Sequence, residues 1–234
     1  MKPKTALDAR LRAAAEYVRQ EAYFADIGTD HAYLPVFLIE EGRISHAIAA
    51  DIAKGPLARA AETVREAGLE KEIELCLTDG LQGLSDRGVT DIAICGMGGE
   101  MIASILEASP FVKDASIRLI LQPMTRAAHL RYYLAREGFE VEEETLCQAG
   151  RKLYSCLCAS YTGTPYTLTP AEAEVGYYHI HRGASHPLFS AYLRHHIDTI
   201  SRRVSGMLEG GQDPKETQTL LTELETIYDS QRTL

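Results

Sequence analysis

Between about residues 22 and 160, short apolar runs alternate with amphipathic runs of helical period. The apolar runs predict strands near residues 23–27, 46–51, 72–78, 91–95 and 118–121. Helical spacing predicts helices over 34–40, 57–67, 100–107 and 127–137, with a short segment around 81–84 after the third strand. Two further strand-like runs, 139–147 and 152–160, are separated only by the turn at 148–151. No crossover helix fits between them, so they must pair antiparallel. Five β-α units closed by an edge hairpin predict an α/β fold with a mostly parallel, Rossmann-like sheet and helices on both faces, the class I methyltransferase layout.

The texture changes after Thr162-Gly163-Thr164-Pro165. Residues 170–187 read as linker and short helix. Residues 188–207 and 214–228 both have helical spacing, broken by Gly210-Gly211-Gln212-Asp213. The expected organisation is a sheet domain over 1–162 and a small C-terminal helical hairpin domain, coiled-coil-like, over 163–234.

Composition changes this picture little. Hydrophobic residues at 45% and charged residues at 24% suit an ordinary core. The start of the chain reads as an amphipathic helix rather than a signal peptide, and no apolar run is long enough for a membrane span, so a cytoplasmic protein without a membrane partner is expected. Five cysteines, an odd number, lie mostly in apolar runs and read as free thiols. Cys156-x-Cys158 is too tight for a usual zinc pair and has no second pair, so no metal is expected. A net charge of −9 argues against a wholly nucleic-acid-binding surface but leaves room for a local basic face. Arg10, Arg12 and Arg19 fall on the first helix; Arg126 and Arg131 flank a later one; Arg182, Arg194, Arg202 and Arg203 lie towards the C-terminus.

Candidate chemistry sits at the strand ends, where open α/β sheets bind ligands. The first strand runs into Asp26-Ile27-Gly28, followed by Asp30 and His31 at a helix start. The second ends in Asp51, placed to accept from both hydroxyls of a ribose. The third ends in Asp79-Gly80-Leu81, where an acid can accept from an adenine amine. The fourth ends in Gly96-Met97-Gly98-Gly99, read as a loop stripped of side chains for a bulky ligand. The fifth ends in Gln122-Pro123-Met124. A full G-x-G-x-x-G is missing and Asp30 would repel a pyrophosphate, so the ligand is not a dinucleotide. An acidic first loop suits the cationic methionine end of S-adenosylmethionine.

Residues 25–35 (ADIGTDHAYLP), 47–56 (AIAADIAKGP), 78–81 (TDGL), 94–100 (ICGMGGE) and 119–123 (LILQP) together resemble the bacterial tRNA (adenine-N1)-methyltransferases that act on the adenine at position 22 of the D-arm. The resemblance covers about residues 5–160 in unbroken order. It implies transfer of a methyl group from S-adenosylmethionine to N1 of a tRNA adenine. Asp26, Gly28, Asp30, Asp51, Asp79, Gly80, Leu81, Gly96, Met97 and Gly98 then become cofactor-binding candidates, and Asp30, His31 and Gln122 catalytic ones. Tyr33, Gly99, Pro123, Met124, Arg126, Arg194, Arg202 and Arg203 become substrate candidates, and Arg10, Arg12, Arg126, Arg131, Arg182, Arg194, Arg202 and Arg203 are phosphate-contact candidates as a group. The chain departs from the family pattern at Met124, where an asparagine is usual after L-Q-P, at Ser155, where a glutamate is usual, and over 175–179. A methyltransferase of another substrate class and a non-catalytic cofactor-binding module remain alternatives, as do monomer and homodimer.

Overall fold

A computed structural model describes residues 5–182 and 186–231. The chain divides into two compact units, Met1–Tyr166 and Thr167–Leu234. Residues 1–4, at the start of the predicted first helix, and 183–185, in the predicted linker, lie outside the described residues.

The first unit is built on strands β1 (Phe24–Ile27), β2 (Ala47–Asp51), β3 (Ile73–Leu77), β4 (Asp91–Gly98), β5 (Arg118–Thr125), β6 (Phe139–Ala149) and β7 (Lys152–Tyr161). Its helices are α1 (Ala9–Tyr17), α2 (Tyr33–Glu40), α3 (Lys54–Ala67), α4 (Gly99–Glu107) and α5 (Ala127–Glu137). The strand order is β3-β2-β1-β4-β5-β7-β6. β1 to β5 are parallel; β7 runs antiparallel between β5 and β6, as expected from the short turn. The order reverses between β1 and β4, which opens a crevice at the carboxyl ends of those two strands.

Strand alternation sends side chains to two cores. Ile27, Ile48, Ile92, Ile94, Leu119 and Leu121 pack on one face with Ile102, Leu106, Leu130 and Leu134 of α4 and α5. Phe24, Ala47, Ala49, Ala93 and Ile120 pack on the other with Ala14, Ala15, Leu34, Val36, Phe37, Leu38, Ala60 and Val64 of α1, α2 and α3. α2 is apolar nearly all round and correspondingly buried. The five cysteines are free thiols, three of them buried. No helix among the described residues is long and apolar enough to cross a membrane, and no group of three His, Cys, Asp or Glu there could hold a metal ion.

Four expectations change. The third β-α unit has no helix: turns lead from β3 to β4, and Leu81 and Leu84 plug the core from them. Gly96-Met97-Gly98 is not a loop but the continuation of β4, paired with Pro123 and Thr125 across irregular register. Proline, lacking an N–H, is tolerated at such an irregularity. Arg19 lies beyond α1, where it clasps buried Asp91 at the amino end of β4 (2.8 Å from its N–H, 2.7 Å from Nε). Arg131 is no phosphate contact: it is 2% exposed, and its Nη2 donates to buried Glu144 at 2.5 Å and to Ser155 Oγ at 3.2 Å. Helical phase turns Arg131 inward, and Ser155 sits at that pair.

The second unit comprises α6 (Pro170–Val175), α7 (Tyr177–His181), α8 (Phe189–Glu209) and α9 (Lys215–Gln231). Thr169 and Glu172 form a reciprocal cap at the start of α6. Phe189, Leu193, Ile197, Ile200 and Val204 form a stripe on α8 spaced three and four residues apart, and Thr217, Leu221 and Leu224 are the buried positions of α9. That spacing gives the expected antiparallel pair its buried seam.

Candidate active site

The carboxyl ends of β1, β4 and β5, together with the start of α1, enclose a cavity of about 370 Å³ lined by Asp26, Gly28 to Leu34, Cys95, Gly96, Gln122, Asp8, Arg10 and Leu11. β1 hands over to this cavity through a tight turn. Gly28 and Thr29 both donate to the Ala50 carbonyl, at 2.8 and 3.0 Å. Gly28 has φ of +75°, a conformation that favours glycine, and a Cβ there would stand 2.0 Å from Met97 Cε, so the Met97 side chain would have to move. Thr29 Oγ1 accepts from Ala32 N–H at 3.1 Å and so shapes the entry to α2.

The acids of the turn differ in environment. Asp26 is buried, and burial raises its carboxyl; a hydrogen bond from Thr29 offsets part of this, the charge of Asp51 adds to it, and the result is about 6. No cation among the described residues pairs with it. Asp30 is exposed at the rim, where Arg59 of α3 donates to it, Nε at 3.0 Å, and His31 Nε2 stands 3.4 Å away. His31 stacks flat on Tyr33, with centroids 4.9 Å apart and planes 3° from parallel. The two rings make an aromatic platform at the cavity mouth.

The glycines of β4 have separate tasks. Gly96 (φ +80°) borders open space: a Cβ there would meet nothing within 4 Å. Gly99 is a packing glycine, because a Cβ would lie 2.3 Å from the Arg126 carbonyl oxygen. It therefore brings α4 and the start of α5 together and leaves no room for a base. Gln122 is 1% exposed; its Oε1 accepts from Gly96 N–H at 3.2 Å and its Nε2 donates to the Pro123 carbonyl at 2.9 Å. Gln122 thus holds the β4 extension in shape as well as lining the cavity.

Asp51, Asp79 and Gly80 lie further along the same carboxyl edge, at the ends of β2 and β3, outside the cavity lining. Asp51 Oδ1 accepts from Ala53 N–H at 2.7 Å, and Asp79 is exposed. Leu81 is 2% exposed, so only its backbone can face a ligand. Beside them Ile52 and Leu77 are 67% and 52% exposed, an apolar shelf that sequence reading missed. Apolar residues directly after a strand look like core, and only exposure separates them from it. Asp8, Leu11, Thr29, Arg59 and Cys95 were also missed. Asp8, Leu11 and Arg59 carry no local signal, since α1 and α3 reach the site only through folding, whereas Thr29 and Cys95 lie within the strand-end stretches and only the fold shows that they face the cavity.

On the substrate side, Pro123 is buried and Met124 half-buried, with its Sδ 2.9 Å from Arg10 Nη1. Arg126 is exposed in a left-handed conformation (φ 57°) at the start of α5, 3.8 Å from Glu100. Arg12 lies 5.5 Å from the centre of the Phe37 ring. In the second unit Arg194 lies over Tyr228 at 4.4 Å, linking α8 to α9, while Arg202 and Arg203 are exposed on α8. Arg182 stands over Tyr177 at 5.8 Å.

The acidic cavity can take the cationic end of a ligand, and Asp51, Ile52 and Leu77 lie at the neighbouring strand ends. The model of a family described as "Methyltransferase domain" matches residues 7–157. The tRNA (adenine(22)-N(1))-methyltransferase of Bacillus subtilis is 39% identical over 153 residues, 65% of this chain and 64% of that protein, so this chain spans less than two thirds of that relative. Streptococcus pneumoniae Sp1610, a proposed tRNA (m1A22) methyltransferase, is 31% identical with a TM-score of 0.80 over 96% of this chain and 99% of its own. The same protein solved with S-adenosyl-L-methionine has a TM-score of 0.83 at 28% identity, covering 95% of this chain and 100% of its own. A domain match over more than half the chain and a near-full-length structural relative above 30% identity place this chain in the methyltransferase-domain family, in the group that holds the tRNA (m1A22) methyltransferases.

Proposed function

We propose that this protein transfers a methyl group from S-adenosylmethionine to N1 of an adenine in tRNA, at position 22 of the D-arm, and acts in the cytoplasm. The observation that carries the reading is Asp26, a buried acid that no cation among the described residues pairs with, in a cavity beside the strand ends that carry Asp51 and Asp79. Bound there, S-adenosylmethionine supplies a methyl group already activated by its sulfonium.

This chain's residues then bind and orient. Asp26 answers the positive methionine end, and ion pairing brings its carboxyl back towards the ordinary range. Asp51 accepts from the ribose hydroxyls, and Asp79 from the adenine amine. Adenine N1 already carries a lone pair, so no strong base is needed to free it. Alignment of the two partners at contact distance accounts for most of the rate. N1 lies on the pairing edge, so the base must leave its stack. The His31–Tyr33 platform offers it a face, and the open space beside Gly96 offers it room. The methylated base is a cation, and Asp30 at the rim stabilises the charge that develops. Gln122 acts mainly by holding Gly96 in place. Arg126 and the exposed arginines of α8 supply phosphate contacts.

The test is incubation with labelled S-adenosylmethionine and unmodified tRNA, followed by nucleoside analysis and mapping. 1-Methyladenosine at position 22 supports the reading in full. The same nucleoside elsewhere keeps the reaction and moves the target. Binding of S-adenosylmethionine without transfer to tRNA overturns the substrate half.

A further inference from the structure

We infer that Arg59, on α3, is a positioning residue for the target base: it fixes Asp30, and Asp30 fixes the His31–Tyr33 platform on which the base stacks. This inference rests on the proposed methyl transfer to an adenine. Asp30, His31 and Tyr33 line the cavity, and Arg59 does not. Its guanidinium meets the site at Asp30. Arg59 thus acts on the base through another residue rather than by touching it.

Both Arg59 donors, Nε at 3.0 Å and Nη2, reach the same oxygen of Asp30, Oδ1. That leaves Oδ2 to face His31, whose Nε2 stands 3.4 Å away. A carboxylate gripped on one oxygen by a rigid guanidinium fork is not free to rotate, so Oδ2 sets the tilt of the imidazole. His31 in turn carries Tyr33, in the parallel stack already described. Residues two apart do not face each other on a helix. These two rings meet because Ala32 between them is left-handed (φ 52°), a conformation uncommon for alanine. Such strain persists only where the surroundings over-determine it. Here Thr29 Oγ1 accepts from the Ala32 N–H at 3.1 Å on one side, and the Arg59–Asp30–His31 chain holds the other. Tyr33 is 41% exposed, which leaves part of the stack open to a flat ring. Arg59 and Asp30 are themselves exposed, and an exposed ion pair adds little stability. Loss of Arg59 should therefore show in turnover and not in the melting temperature.

The test is steady-state methyl transfer to tRNA, with calorimetry of S-adenosylmethionine binding, on wild type, Arg59→Gln, Arg59→Lys, Asp30→Asn and the double variant Asp30→Asn with Arg59→Gln. Arg59→Gln should lower kcat roughly three- to tenfold, the scale of a partial loss of alignment. It should leave the KM for tRNA and the affinity for S-adenosylmethionine within about twofold. Arg59→Lys should restore part of the loss. In the Asp30→Asn background Arg59→Gln should change nothing further, because the chain is already cut. Additive losses overturn the assignment, and so does an unchanged kcat. A raised KM with a flatter salt dependence overturns it and makes Arg59 a phosphate contact. Weaker S-adenosylmethionine binding overturns it and moves Arg59 to the cofactor. One measurement needs no variant to fold: in nitrogen NMR of wild type, neutral His31 should carry its proton on Nε2, towards Asp30, and a proton on Nδ1 overturns the chain. Absence of transfer by wild type brings down the methyltransferase reading itself, and this one with it.

Discussion

Replacing Asp26 by asparagine should make the protein more stable and less able to hold its cofactor. Burial raises the Asp26 carboxyl, the Thr29 hydroxyl pulls it partly back, and the Asp51 charge raises it further, from an ordinary 3.8 to about 6. Below 3.8 the carboxyl is protonated in both folded and unfolded chains and costs nothing. Between 3.8 and 6 the folded chain keeps a proton that the unfolded chain has lost, so stability falls as pH rises through about 6. A difference of about two pH units corresponds to about 3 kcal/mol once the group is fully ionised. Asparagine is neutral throughout and keeps an oxygen for the Thr29 hydroxyl. Asp26→Asn should therefore gain roughly 1–3 kcal/mol at pH 7.5, with the gap closing towards pH 4. Urea unfolding midpoints at pH 4, 5.5 and 7.5, compared at equal slope, measure this. Saturating S-adenosylmethionine should stabilise wild type and do little for the variant. A variant less stable at pH 7.5, or a gap that does not change with pH, would refute the reasoning.

Three other perturbations follow from the same geometry. Gly28→Ala forces alanine into the left-handed region, costing roughly 1–2 kcal/mol, and drives its Cβ into Met97. Adding Met97→Ala should recover the steric part, so the double variant should melt above Gly28→Ala alone; a lower melting temperature would place the clash elsewhere. Arg131→Met removes the guanidinium that pairs with buried Glu144 and should cost about 3–5 kcal/mol, while Arg131→Met with Glu144→Leu should regain most of it in chemical denaturation. Neutralising Arg194, Arg202 and Arg203 together should weaken tRNA binding and lower its salt slope by up to roughly 0.9 per lost phosphate contact. Unchanged binding, with helicity intact by circular dichroism, would remove α8 from the RNA face.

Much of the fold was legible because period and punctuation are local. The short turn at 148–151 left β6 and β7 no choice but antiparallel pairing, and the antiparallel edge of the sheet follows from it. The missing third helix was not legible. The 81–84 segment carries leucines that suit either a helix face or a core plug, and only the space under β3 and β4 decides. Met97 and Pro123 misled in the same way. Glycine and proline announce a loop, yet cross-strand pairing across an irregular register kept both stretches in the sheet.

The site divides along the same line. The residue types at the strand ends, Asp26, Gly28, Asp51, Asp79 and Gly96, were determined by the sequence alone, because a parallel sheet must gather its carboxyl ends at one edge. Tertiary structure decided what each residue does there. It buried Asp26, tied Asp30 to Arg59, turned Gly99 into a helix-packing contact and pointed Arg131 into the core. It also brought Arg10 from a helix outside the alternating pattern to the wall of the cavity. Backbone periodicity is a property of neighbouring residues and can be read from them. Burial and charge pairing depend on groups distant in sequence, and these meet only when the chain has folded.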